Sequence, residues 1–269
     1  MVSVVSETKP AEYSLAYTLS LIVSISLMML YFVGQSDLEF MRIFSNIVFA
    51  PVAFVPVVVA LETSRRYGWE FESKLGFIWL TFLIGLFLWF LGEFVWAIYV
   101  LGFKIDVPYP SVADVFYVLG YPAFIYGLIM YFMEFRPTLS LKTAKLGLFI
   151  AAAVIVLTIG FLYGPTITSS EDPATIALDV LYITLDLIIL IFSAEAFLLT
   201  LGYHSILGGS LWKAWLFLVI GAILDAAADL LFSYLTLLGV YYEGHPSELL
   251  YLWAYVAFSL AFYIHGKEL

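Results

Sequence analysis

Eight apolar stretches follow one another along the chain with short polar breaks between them. They lie at about 13–33, 41–61, 74–100, 110–132, 143–163, 174–201, 212–238 and 246–265. Crossing the ~30 Å hydrocarbon core of a bilayer takes ~20 such residues in helical form. Each stretch therefore predicts one transmembrane helix, and the breaks leave no room for a soluble domain of ordinary size. Pro51 and Pro56 fall inside the second stretch and predict a kink whose freed carbonyls must find partners on neighbouring helices. Pro110 and Pro246 open the fourth and eighth, where a missing N–H costs nothing. Trp212, at the start of the seventh, suits an anchor at the membrane surface. The expected fold is an all-α polytopic membrane protein, a single membrane domain over residues 1–269.

Composition agrees. Hydrophobic residues make up 64% of the chain and charged residues 12%, against about 25% charged in a soluble domain. The mean hydropathy is +1.03. There are no cysteines, which removes disulfides and thiolate metal sites. A net charge of −10 argues against nucleic acid as a partner. Met1–Pro10 carries Glu7 and Lys9 and lacks the basic start and short apolar core of a cleaved signal peptide.

Basic residues set the orientation. With the N-terminus inside, nine of the eleven fall on the cytoplasmic side: Lys9, Arg65, Arg66, Lys74, Arg136, Lys142, Lys145, Lys213 and Lys267. Arg42 and Lys104 fall outside. The positive-inside rule then places both termini in the cytoplasm, which requires an even number of spans. The expected location is the cell membrane, as a multi-pass protein. The outer loops carry Asp37, Glu39, Asp106, Glu171, Asp172 and Glu243.

Two segments read as copies. Gly92-Glu93-Phe94-Val95-Trp96, Leu101-Gly102, Pro110-Ser111 and Asp114, Tyr117, Tyr121 are answered by Ala228-Asp229-Leu230-Leu231-Phe232, Leu238-Gly239, Pro246-Ser247 and Glu248, Tyr251, Tyr255. Glu93 falls on Asp229 at an offset of 136, and the tyrosines match at 134. An internal repeat fixes architecture. Here it predicts two four-helix repeats, 13–132 and 143–265. Four spans per repeat is an even number, so the two share one topology, parallel about an axis along the membrane normal.

Acids inside the spans are the candidate chemistry. Glu93, Asp114, Asp179, Asp186, Asp225 and Asp229 lie within spans three, four, six and seven, Glu248 begins span eight, and Glu195 lies towards the inner end of span six. Asp114, Tyr117 and Tyr121 share one helix face, as do Asp179, Tyr182 and Asp186, and Glu248, Tyr251 and Tyr255. Glu93 shares a face with Trp89 and Trp96. At ~1.5 Å rise per residue, Asp114 and Glu248 sit within about a turn of the outer surface, Glu93, Asp179 and Asp229 ~8–14 Å down, and Asp186 and Asp225 near the midplane. A lipid-facing acid costs roughly 2.5–3.5 kcal/mol, so these should face the bundle interior. No Lys or Arg lies in any span core to pair with them. They must be protonated, bonded to neighbours such as Tyr, Trp and Ser, or neutralised by a bound cation. Acid–tyrosine pairs also serve as plain contacts between spans, at roughly 0.6–2 kcal/mol each, but such contacts have no reason to gather in one leaflet. The expected ligand-binding set is Glu93, Trp96, Asp114, Tyr117, Tyr121, Asp179, Tyr182, Asp186, Asp225, Asp229, Glu248, Tyr251 and Tyr255. His204, His245 and His265 have no zinc-site spacing, and no metal or cofactor is expected.

The phrases Pro110-Ser-Val-Ala-Asp114-Val-Phe-Tyr117-Val-Leu-Gly120-Tyr121-Pro122, Leu178-Asp179-Val-Leu-Tyr182-Ile-Thr-Leu-Asp186 and Asp225-Ala-Ala-Ala-Asp229 resemble the multi-span N-terminal membrane domain that precedes diguanylate cyclase, phosphodiesterase and histidine kinase modules. The resemblance covers roughly residues 75–265 and implies a sensory input module. The chain ends at Leu269 without an output domain, so a signal is expected to pass through a separate partner. A looser resemblance, carried by Gly92-Glu93 and Asp225…Asp229, is to eight-span lysoplasmalogenases, although those enzymes use Asp where this chain has Glu93. It implies lipid hydrolysis by paired carboxylates that activate water. Three functions follow: a sensor-type or ligand-binding module with an outward-facing acidic and aromatic pocket, an intramembrane lipid hydrolase, and a proton- or cation-coupled carrier. A hydrolase needs a nucleophile or metal beside the acids. A carrier needs broken helices in matching spans. Neither is legible, which favours the first. The expected partners are the lipid bilayer, an unknown small ligand or cation, and that signalling partner.

Overall fold

The computed structural model describes residues 8–69, 73–135, 141–207 and 211–269. The first seven residues, Arg136 and the side chains of Lys9 and His204 lie outside what is described. Eight helices are long and apolar enough to cross a membrane: α1 Thr8–Gly34, α2 Leu38–Arg66, α3 Lys74–Ala97, α4 Val112–Phe135, α5 Leu141–Thr158, α6 Pro173–Leu207, α7 Leu211–Leu237 and α8 Leu249–Glu268. No strand occurs among the described residues. The chain is thus an all-α protein with the helices of a multi-pass membrane protein. Most boundaries fall within a few residues of those read from hydropathy. α2 runs through both Pro51 and Pro56 without a break. Pro110 lies ahead of α4, and Pro246 opens a short 3-10 turn, Pro246–Glu248, that leads into α8. Two helices change pitch towards one end: α3 continues as a π-helical turn over Ile98–Phe103, and α5 as one over Ile159–Tyr163 followed by Gly164–Ile167.

The connections 35–37, 104–111, 168–172 and 238–245 share one end of the bundle, called upper here. The described ends of the chain meet at the other, lower end, where Tyr13 of α1 bonds Glu268 of α8.

Packing follows a ring. α2 packs on α3, α3 on α4, α4 on α6, α6 on α7, α7 on α8, and α8 back on α2. α1 sits outside the ring against α8 and α2, and α5 outside against α6. These two outer helices are the least buried. Leu15, Ile22 and Phe32 of α1 and Leu148, Phe149 and Val156 of α5 are exposed, as suits helices bathed in lipid rather than water. Small residues bring the ring helices together. A Cβ on Gly85 of α3 would meet the Gly120 carbonyl and Phe124 of α4, and one on Gly221 of α7 would press on the ring of Phe258 in α8. Close backbone approach at small residues is how helices associate where lipid competes for apolar contact.

The lower half of the ring is filled by aromatic side chains. Trp79 and Trp215 meet with centroids 4.9 Å apart. His265 stacks on Trp79 at 4.1 Å, and Tyr131 stacks on Trp215 at 4.0 Å. Phe124 and Phe258 meet edge to face at 5.4 Å. All six are buried. Hydroxyls fix the lowest layer: Tyr67 Oη bonds His265 Nε2 at 2.7 Å, and Tyr131 Oη bonds Thr200 Oγ1 at 2.8 Å.

Candidate functional site

Above this floor the ring opens into a cavity of about 840 Å³. Its wall is built from the acid- and tyrosine-bearing faces of α3, α4, α6, α7 and α8. Twelve of the thirteen residues singled out in the sequence line it: Glu93, Trp96, Asp114, Tyr117, Tyr121, Asp179, Tyr182, Asp225, Asp229, Glu248, Tyr251 and Tyr255. The thirteenth, Asp186, lies outside the wall and is 1% exposed. Its Oδ1 accepts from Tyr121 Oη at 2.5 Å, so the tyrosine stands between it and the cavity. The upper rim is made by Tyr109, Ser169, Ser170, Glu171 and Leu238.

Helical spacing explains the convergence. Residues three, four and seven apart share a face, so each helix turns an acid and its tyrosines inward together. Gly92 then lets Tyr117 lie flat on α3, because a Cβ there would sit 2.4 Å from the ring.

Five of the acids singled out in the sequence that line the cavity are held by tyrosine and backbone donors. Glu93 accepts from Tyr255 Oη at 3.2 Å and from Tyr117. Asp229 accepts from Tyr251 Oη at 2.7 Å and lies 3.0 Å from Tyr121 Oη. Asp114 accepts from the Ser111 amide at 2.6 Å, the Ser111 hydroxyl at 2.8 Å and Tyr182 Oη at 2.9 Å. Glu248 accepts from the Gly244 amide at 2.7 Å and from Tyr31 and Tyr241, each at 2.8 Å. Asp179 accepts from Tyr109 Oη at 2.5 Å. Such hydrogen bonds contribute roughly 0.5–1.5 kcal/mol each, which offsets part of the cost of gathering acids. Four of the donor residues, Tyr109, Ser111, Tyr241 and Gly244, lie in the upper connections. Burial, and then the hydrogen bond to Asp179, hold the Tyr109 phenol above its usual range. Burial, and then the charge of Glu248, do the same for Tyr241. Both remain donors at physiological pH.

Asp225 and the Tyr121 junction differ. Asp225 is 4% exposed, lines the cavity, and makes no hydrogen bond to any described residue. Tyr121 Oη lies within hydrogen-bond reach of both Asp186 and Asp229. A phenol has one proton. Its one proton is shared between the two carboxyl groups or given to one of them.

The wall carries eight carboxylates and no lysine, arginine or histidine. Glu243 alone among them has a cationic partner, Arg42, which bonds it at 3.1 Å and reaches Asp106 at 2.9 Å. Among the described residues, no three His, Asp or Glu side chains converge as metal ligands do. The site presents a concentration of carboxyl groups among aromatic side chains. Sequence reasoning did not find Tyr31, Tyr109 and Tyr241, which reach the acids from α1 and from two connections. They sit in no repeat of the acid–tyrosine pattern, so no signal pointed to them. Trp89 was legible as sharing the face of Glu93, and it lines the cavity.

No family model matches the chain, and no curated protein and no solved structure matches it.

Proposed function

We propose that the chain is a ligand-binding, sensor-type module of the cell membrane, built as two parallel four-helix repeats, with the upper cavity facing outward and both termini in the cytoplasm. The observation that carries this reading is the cavity of about 840 Å³ that gathers twelve acid and aromatic residues from five helices. Pockets for small molecules run from roughly 300 to 1,000 Å³ and carry a few convergent polar groups.

Matched contacts support the repeat. Tyr121 of α4 reaches Asp229 of α7, and Tyr255 of α8 reaches Glu93 of α3. These are the same contact with the repeats exchanged. Tyr117 on Glu93 and Tyr251 on Asp229 form a second such set. Gly85 under Phe124 is answered by Gly221 under Phe258, and Tyr131 on Trp215 by His265 on Trp79. The ring of helices maps onto itself under the same exchange. The mates Trp79 and Trp215, and Phe124 and Phe258, touch each other, as residues on a two-fold axis do. The basic residues support the orientation, since they leave Arg42 and Lys104 alone on the upper side. On this reading a ligand's occupancy would be passed to a separate signalling partner.

Single cysteines test the orientation in a chain that has none of its own. Membrane-impermeant reagent added outside should label positions 106, 171 and 243 and spare 66 and 142. Native mass spectrometry of the purified protein tests the pocket: a small molecule that co-purifies and is lost on substitution of cavity residues is expected. Labelling of 66 from outside would overturn the topology.

A further inference from the structure

We propose that the cavity binds an organic cation, an amine or quaternary ammonium group seated against Asp225 among the aromatic faces of Trp89, Tyr121, Tyr251 and Tyr255. The inference rests on the binding-module reading above and names the ligand class of that site. Asp225 is a buried carboxyl in the wall for which no hydrogen bond to a described residue is found, only the nearby carboxyls of Asp229 and Glu93. A buried acceptor left without a partner costs roughly 1–3 kcal/mol, so the fold keeps open a place that a donor from outside can fill. Tyr121, Tyr251 and Tyr255 all lie within electrostatic range of Asp225, and all line the same cavity as Trp89.

Three observations select an organic cation. The wall holds eight carboxyl groups and no basic side chain, so it offers nothing to pair with an anion, whereas a cation finds acceptors. A metal ion takes several oxygen ligands at ~2.0–2.6 Å, yet no three described ligand-type side chains converge. The volume suits a molecule rather than an ion. Aromatic faces attract ammonium groups by roughly 0.5–2 kcal/mol each, and quaternary ammonium groups are bound this way in aromatic cages. Asp225 also breaks the repeat. At the offset of 136 that pairs Glu93 with Asp229, Asp225 corresponds to Trp89. The two repeats thus supply one carboxylate and one indole to the same cavity.

The cation can come from the outer solution as a free amine or from a lipid headgroup, and the chemistry recognised is the same. The test is melting temperature in phosphatidylglycerol nanodiscs with tetramethylammonium, choline or spermidine added. The neutral isostere 3,3-dimethyl-1-butanol, calcium and magnesium serve as comparisons. At least one organic cation should raise the melting temperature saturably, and the neutral isostere should not. Asp225→Asn should weaken that cation at least about tenfold. Trp89→Leu should weaken it several-fold, and it keeps the test open if Asp225→Asn does not fold. In phosphatidylcholine nanodiscs a headgroup site would mask the effect of free choline, while a site for soluble amines would not. The proposal is overturned if none of the three cations acts, if the neutral isostere matches choline, if only a divalent metal acts, or if both variants bind like the parent. A neutral or anionic molecule found in the cavity by native mass spectrometry would overturn the cation and leave the binding module standing.

Discussion

The two ends of the helix ring contrast in what fills them. The lower end is closed by Trp79, Trp215, Tyr131 and His265, all buried and stacked on one another. The upper end, made by the same six helices, holds a cavity walled with carboxylates and tyrosines. Packing at native density stabilises a fold, whereas buried carboxyls cost free energy unless bonded. The contrast teaches that the lower end holds the ring together and thereby allows the upper end to keep acids close and space open. Functional sites commonly sit at such a stability cost to their host.

Substitutions should separate the two ends by size of effect. Trp215→Ala, which removes the ring stacked between Trp79 and Tyr131, should destabilise by about 3–5 kcal/mol. That should appear as a large fall in melting temperature, or as loss of folded protein in nanodiscs. An equal loss from Trp96→Ala in the cavity wall would break the comparison.

The glycines give a finer test. Gly221→Ala drives a methyl to 2.6 Å from the Phe258 ring in the packed half, and overpacking of this kind costs about 1–3 kcal/mol. Gly92→Ala drives one to 2.4 Å from Tyr117, but that ring borders the cavity and has room to move. Its cost should fall below about 1 kcal/mol, measured by thermal unfolding beside Gly221→Ala. The reverse order would show that the cavity wall is the more rigid region.

Much of this was legible in the sequence, and the rest has physical causes. Apolar length gave the spans within a few residues, because bilayer thickness imposes that length. Helical period placed Asp114, Tyr117 and Tyr121 on one face, and Glu93 and Asp229 read as counterparts, so most of the acids that line the cavity could be named. Period fixes which residues share a face; it does not say what stands in front of them. Asp186 therefore looked like Asp179, although Tyr121 shields it from the cavity. Tyr31 and Tyr109 reach Glu248 and Asp179 across 217 and 70 positions of sequence. Such contacts depend on how helices and loops pack, and nothing local encodes them.

Removing single donors should have smaller effects. Tyr255→Phe takes one of two tyrosines from Glu93, and Tyr251→Phe one of two from Asp229. Each should lower stability by about 1 kcal/mol, and the two should be equal if the repeats are equivalent. Calorimetric melting of the pair checks this. The smallest effect belongs to Asp172, an exposed cap at the start of α6. The side chain of Thr175, then the amides of Thr175 and Ala174, hold its carboxyl below the usual range. A lowered value means that the stabilisation is present above the ordinary carboxylate range and is lost as pH falls through the lowered one. Asp172→Ala should lower the melting temperature slightly at neutral pH and not in strong acid.

The central claim is an outward-facing cavity that favours cations, and one measurement addresses both parts. Ser233→Cys places a single thiol in the wall of a chain without cysteines. The trimethylammonium and sulfonate forms of an ethyl methanethiosulfonate, both membrane-impermeant, are added outside sealed vesicles in which the N-terminus faces the lumen. The account predicts that the cationic reagent reacts at least about tenfold faster than the anionic one, as a cleft of one charge sign concentrates its counter-ion. Equal rates, a faster anionic reagent, or reaction only from the lumen would contradict it.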